Sequence, residues 1–226
     1  MKSKIEGEIM QLLSFELDGS DEIYAEAGAM SWMSDNVKME SYMRGGLGAG
    51  IGRVFTGESL FMVRFKSESG KGMVSFTPSF PGKILPLKIG PGKEIICQKD
   101  AFLAAEMSVN LETIFRKKLG IGLFGGEGFL LQKLTGTGNA FVEIDGEVFE
   151  MDLKAGEKLK VDTGSIAMFE TTVKYDIEMV KGVKNIIFGG EGLFLATLEG
   201  PGKVWLQTMP ASSLVRKLLP YLPRGG

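Results

Sequence analysis

Phe188-Gly189-Gly190-Glu191-Gly192-Leu193-Phe194 restates, nearly letter for letter, Phe124-Gly125-Gly126-Glu127-Gly128-Phe129-Leu130, and a worn third version stands at Phe55-Thr56-Gly57-Glu58-Ser59-Leu60-Phe61. One heptad at three places predicts a chain built from three copies of one unit, because self-similarity on a scale of tens of residues is the signature of a repeat architecture. The residues upstream carry the same message. Leu13, Phe15 and Leu17 alternate with Ser14 and Glu16; Leu85, Leu87 and Ile89 alternate with Pro86 and Lys88; Phe149, Met151 and Leu153 alternate with Glu150 and Asp152. Period two predicts a half-buried strand. Leu17, Ile89 and Leu153 stand 72 and 64 residues apart, and because a slip of one residue inverts a strand, this spacing predicts an inward apolar face in all three copies. Pro86 lacks a donor, so its strand is expected at an edge or locally unpaired.

The same two shifts relate the segments that follow. Turns at Asp18-Gly19-Ser20-Asp21, Gly90-Pro91-Gly92 and Lys154-Ala155-Gly156 lead into Ile23-Tyr24-Ala25, Ile95-Ile96-Cys97 and Leu159-Lys160-Val161. Second corners fall at Gly28, Asp100 and Gly164, residue types that tolerate the left-handed conformation. Beyond them, Ala29-Met30-Ser31-Trp32, Ala101-Phe102-Leu103-Ala104 and Ser165-Ile166-Ala167-Met168 are apolar nearly throughout. That pattern predicts strands covered on both faces. Val37, Val109 and Val173 keep the register, and a Gly-x-Gly hairpin recurs at Gly70-Lys71-Gly72, Gly136-Thr137-Gly138 and Gly200-Pro201-Gly202. Helix is expected only in the tail Ala211–Leu219, where Leu214 and Leu218, and Val215 and Leu219, have i, i+4 spacing and Pro220 stops the run. The units are read as residues 8–79, 80–145 and 146–210 of a single β body, with 211–226 as a helical tail.

Composition narrows the chemistry. With 26 Lys+Arg against 28 Asp+Glu, no global basic field draws nucleic acid. The chain of 226 residues has no histidine, which excludes Ser-His-Asp and Cys-His mechanisms and histidine metal sites. Its single cysteine, Cys97, permits no internal disulfide or cysteine-rich zinc site, and it alternates with Ile95 as a core thiol does. Trp32 and Trp205 lie in apolar runs and are also read as core. The N-terminus lacks an uninterrupted apolar core, and a soluble, cytoplasmic protein is expected. No glycine cluster has phosphate-loop spacing, so no nucleotide or other cofactor is expected.

Taken in order, Ala25-Glu26-Ala27-Gly28-Ala29-Met30, Gly57-Glu58-Ser59-Leu60-Phe61, Asp162-Thr163-Gly164, the two Phe-Gly-Gly-Glu-Gly heptads and the closing Gly200-Pro201-Gly202-Lys203-Val204-Trp205-Leu206-Gln207-Thr208 resemble the family of altered-inheritance-of-mitochondria protein 24. The resemblance spans nearly the whole chain. It implies an all-β fold of three tandem β-sandwich repeats like the subunit of the tryptophan RNA-binding attenuation protein, TRAP, in pseudo-threefold arrangement with a short C-terminal helix. It also implies a scaffold more than an enzyme, since the mitochondrial branch is linked to membrane organisation and respiratory-complex assembly. Several members carry a histidine after the Asp-Thr-Gly corner where this chain has Ser165, so a histidine-dependent activity is not expected.

Two constellations stand as candidate sites. Glu58, Glu127 and Glu191 are equivalent carboxylates that could converge on a cation, although turn chemistry already accounts for the glycines beside them. The connections before the heptads combine apolar and basic residues: Arg53; Arg116, Lys117, Lys118, Leu119, Ile121, Leu123 and Phe124; and Lys184, Ile186, Ile187 and Phe188. Such a surface suits a partner protein or an anionic membrane face, or the loops fold back and complete the core. The expected function is non-enzymatic binding or scaffolding by a homo-oligomer, with a trimer among the forms considered. RNA or small-ligand binding, by analogy with TRAP, and a histidine-free carboxylate hydrolase are the alternatives.

Overall fold

Alternating sequences become strands because the pleat sends successive side chains to opposite faces, and a sheet so formed must bury its apolar side against another. The computed structural model describes residues 1–42, 62–117, 129–179, 194–218 and 221, and over these the chain is all-β with one α-helix, α1 (Ala211–Leu218). Four sheets form. The first runs β1 (Lys2–Glu6), β2 (Leu12–Leu17), β7 (Gly72–Phe76), β4 (Met30–Met33). The second runs β5 (Val37–Tyr42), β6 (Met62–Ser67), β3 (Glu22–Glu26), β10 (Phe102–Glu106), β13 (Gly138–Asp145), β8 (Gly82–Ile89). The third runs β11 (Val109–Lys117), β12 (Phe129–Gly136), β9 (Ile95–Gln98), β16 (Ile166–Glu170), β19 (Gly202–Gln207), β14 (Val148–Leu153). The fourth runs β15 (Lys158–Asp162), β18 (Phe194–Glu199), β17 (Lys174–Met179). The Pro86 strand, β8, does end its sheet, where a missing N–H costs no ladder bond.

One strand order recurs. β2-β7-β4, β8-β13-β10 and β14-β19-β16 each place the first, sixth and third strands of a segment side by side, and β5-β6-β3, β11-β12-β9 and β17-β18-β15 each place its fourth, fifth and second. Detail recurs as well. β4 meets β7 with an irregularity between Met30 and Trp32, β10 meets β13 with one between Phe102 and Ala104, and β16 meets β19 with one between Ile166 and Met168. A bulge re-aims the strand locally, and this one sits at positions separated by the 72 and 64 residues of the sequence pattern.

The strands gather into two compact units. One comprises Met1–Lys93, Asp100–Leu111 and Thr135–Glu143. Its core lies between the first two sheets: Leu13, Phe15, Val74 and Phe76 from one, and Ile23, Ala25, Phe65, Leu103 and Phe141 from the other. Phe15 meets Phe141 and Phe76 edge to face, with ring centroids 5.1 and 5.9 Å apart, the geometry that aromatic quadrupoles favour. The other unit comprises Glu94–Lys99, Glu112–Leu134 and Ile144–Gly226. There the third and fourth sheets enclose Ile96, Leu131, Phe169 and Val204 with Val161, Ile177 and Leu198. Helix α1 opens after Pro210, and Asp145 accepts a bond from the Ala211 N–H at 2.9 Å, satisfying one of the donors that a helix start leaves open.

The corners depart from expectation in one respect. Gly28 is left-handed, with φ of 96°, whereas Asp100 and Gly164 sit in short 3-10 turns, Lys99–Ala101 and Thr163–Ser165. In the latter, Asp162 Oδ1 accepts from the Gly164 N–H at 2.9 Å, so side-chain capping replaces a positive φ. The recurring valines are buried, and each lies against the last glycine of a Gly-x-Gly turn. A Cβ on Gly72, Gly138 or Gly202 would stand 2.5, 3.2 or 2.8 Å from Cγ2 of Val37, Val109 or Val173. Gly202, with φ of 146°, is thus fixed by both conformation and space. Gly202→Ala is expected to lower the unfolding free energy by about 1–3 kcal/mol in denaturant titration, through overpacking against Val173.

Candidate interaction surface

The three acidic residues Glu58, Glu127 and Glu191 lie outside the described residues, as do Arg53, Lys118, Leu119, Ile121, Leu123, Phe124, Lys184, Ile186, Ile187 and Phe188. Of Arg116 and Lys117, the backbone is placed, at the end of β11. The structure does define where the connections are rooted. Each leaves and re-enters through neighbouring strands: β5 and β6, β11 and β12, β17 and β18. In the first and third pairs the antiparallel register ends on Tyr42 opposite Met62 and on Met179 opposite Phe194. Directly opposed residues in such a ladder have Cα atoms about 4.5–5.5 Å apart, so these connections start and finish at nearly the same point.

The described residues show a second feature, which the sequence pattern hid. Phe149 and Met151 were expected to face inward, as Leu13 and Phe15 do. Leu13 and Phe15 are fully buried, but Phe149 is 59% exposed and Met151 38%. The difference comes from what lies opposite. Phe15 is covered by Phe141 on β13, a strand that continues the facing sheet beyond β3 and β10. The sheet facing β14 is the three-stranded one, and among the described residues it ends at β15. Leu153 still reaches the core beside Val161, while the residues before it do not.

The strand expected to be covered on both faces divides in the same way. β10 and β16 are buried except for their final glutamates, but β4 is not, and Trp32 is 48% exposed rather than core. β4 closes the first sheet, so that among the described residues only β7 lies beside it. Trp32 pairs with Ser75, whose Oγ lies 2.8 Å from Ser14 Oγ, and the exposed Met73 stands further along the same strand. An edge strand carrying apolar side chains and open ladder groups is a template for another strand.

Charge is arranged as solvated ladders. Arg64 bonds Glu40 and lies 3.6 Å from Glu22, which also meets Lys66 at 3.0 Å. Hydrogen bonds from Arg64 and then Lys38 hold the Glu40 carboxyl below its ordinary range, and Lys71 does the same for Glu16. On the fourth sheet Lys158 pairs with Glu199 at 3.1 Å and Lys160 with Glu178 at 3.1 Å. These groups are exposed or half-exposed and contribute little to stability. Cys97 is the core thiol anticipated, and burial pushes its pKa up to about 12, far from a reactive thiolate. Among the described residues no three Asp, Glu or Cys side chains gather as a metal site, and no helix is long and apolar enough to cross a membrane.

Comparison with known proteins places the chain in context. A family model described as mitochondrial biogenesis AIM24 matches residues 3–209. An uncharacterised protein of Streptococcus pyogenes serotype M6 is 28% identical over 220 residues, which cover 94% of this chain and 87% of that protein. A crystal structure of a Streptococcus pyogenes protein superposes with a TM-score of 0.79 at 24% identity, covering 98% of this chain and 99% of the other, and so shares the fold.

Proposed function

The chain belongs to the mitochondrial biogenesis AIM24 family, and on that footing we propose that it is a non-enzymatic scaffold that works as a homo-oligomer. Three tandem TRAP-like β-sandwich repeats, in pseudo-threefold arrangement, are the architecture this reading assumes. Its support is the recurrence of strand order and of the bulge at Met30/Trp32, Phe102/Ala104 and Ile166/Met168. The observation that carries the scaffold reading is the apolar margin of Trp32, Phe149 and Met151: large side chains turned to solvent, where Ala104 and Met168, and Leu13 and Phe15, are core and the second-segment Leu85 and Leu87 are half-buried. Exposed apolar surface of this kind marks a partner's seat. Docking to a partner protein or to an anionic membrane face falls to the basic and apolar connections, on sequence grounds, and a lone buried thiol suits the cytoplasm proposed for it.

The test joins mass and docking. Light scattering of the purified protein is expected to give a multiple of 24.5 kDa. Combined Ile121→Ser, Leu123→Ser and Phe124→Ser substitution is expected to lower cosedimentation with anionic vesicles more than tenfold, or capture by a protein partner where vesicles do not bind, at unchanged circular dichroism. A monomer that binds neither, or a triple variant that binds as the parent does, overturns the reading. A salt-dependent shift of RNA would favour the TRAP-like alternative instead.

A further inference from the structure

The chain contains two finished joints of one design. The trio β5-β6-β3 is prolonged by β10, with Ala25 opposite Ala104 and Ile23 opposite Glu106. The trio β11-β12-β9 is prolonged by β16, with Cys97 opposite Met168 and Ile95 opposite Glu170. The trio β17-β18-β15 has the same internal order and stops at β15, while β4, the counterpart of β10 and β16, is followed by no strand among the described residues. One chain therefore ends in the two halves of a third joint. Resting on the homo-oligomeric reading, we infer that a second copy of this chain completes it: β4 of one molecule pairs antiparallel with β15 of the next, Trp32 opposite Val161, Met33 opposite Lys160 and Ser34 opposite Leu159.

That register follows from the shifts of 72 and 64 residues applied to both existing joints, and three features agree with it. The row across the first joint, Ala25-Ala104-Phe141, carries one large aromatic, as does Cys97-Met168-Trp205 across the second. The row Val161-Trp32-Ser75 carries one as well, with the bulk moved to the middle strand and the small residue to its neighbour. One step further along, the exposed Asp35 falls opposite Lys158, an opposite-charge pair at the joint's end. Finally, a first sheet laid beside β15 extends the cover over β14. It does for Phe149 and Met151 what the β10 and β13 half of the second sheet does for Leu13 and Phe15. The exposed Trp32 and the exposed Phe149 and Met151 are then the two sides of a single apolar seam. Because the two surfaces differ, the contact is head to tail, and it builds a ring if the rotation closes.

Cysteine pairing tests the joint. In a Cys97→Ala background, Trp32→Cys and Val161→Cys are made separately, as are Met33→Cys and Lys160→Cys as the adjacent pair, since bridging needs Cα atoms about 4.4–6.8 Å apart. Mixing the two partners of either pair under mild oxidation is expected to give a covalent two-chain species that single variants alone do not give. Carrying both cysteines in one chain should yield multiples above two. A bridge confined within one chain overturns the inference, because the edges then close on themselves. An oligomer by light scattering that forms no bridge at either pair also overturns it and leaves the scaffold reading standing. A monomer that forms no bridge removes both.

Discussion

Phe15→Ala is expected to destabilise the folded chain by about 3–5 kcal/mol, the cost of a large cavity in a packed core. Phe15 is fully buried and meets Phe76 and Phe141 edge to face, so truncation empties the centre of three converging strands, β2, β7 and β13. The loss exceeds that of the lining methyls alone because the two rings lose their partner, and such pairs carry about 0.5–1.5 kcal/mol beyond burial. Chemical denaturation should show the midpoint falling with the slope preserved, since the surface exposed on unfolding hardly changes. A shift below about 1 kcal/mol would mean that Phe15 is not the keystone its burial indicates.

Phe149→Ser, on the matching strand at the place of Leu13, is expected to do the opposite. With the side chain 59% exposed in the single chain, its removal should change the stability of dissociated protein by no more than about 0.5 kcal/mol. Its effect belongs to association. An aromatic anchor buried in an interface commonly contributes about 2 kcal/mol or more, roughly thirtyfold in a dissociation constant. Dilution followed by light scattering should therefore show the variant falling apart at concentrations where the parent is intact. Equal dissociation of the two would leave Phe149 without a role in assembly. Phe149 stands where Leu13 does and Met151 where Phe15 does, and the two pairs differ in what faces them.

That contrast marks what the sequence made legible. Alternation at Leu13, Phe15 and Leu17 and at Phe149, Met151 and Leu153 foretold both strands, β2 and β14, and the edge position of Pro86 followed from a missing donor. The recurrence of Val37, Val109 and Val173 was legible too, but not their contact with the hairpin glycines. Period two says which side chains share a face, but not whether that face is covered, because cover depends on how far the opposing sheet extends. Trp32 shows the same limit: an apolar run of the β10 and β16 type has a neighbour in those two cases and ends its sheet in the third. The surface at Trp32, Phe149 and Met151 was missed for this reason. Its one sequence signal was present all along, since a chain of similar segments joined edge to edge must have a first edge and a last.

The hairpin roots at Tyr42 opposite Met62 and Met179 opposite Phe194 carry a consequence for how such a chain can diversify. Segments that depart from and return to adjacent strand ends can lengthen at small entropic expense, each doubling adding only about 0.6 kcal/mol to loop closure. Descendants of one ancestor can therefore exchange what hangs from these roots while the folding problem stays solved.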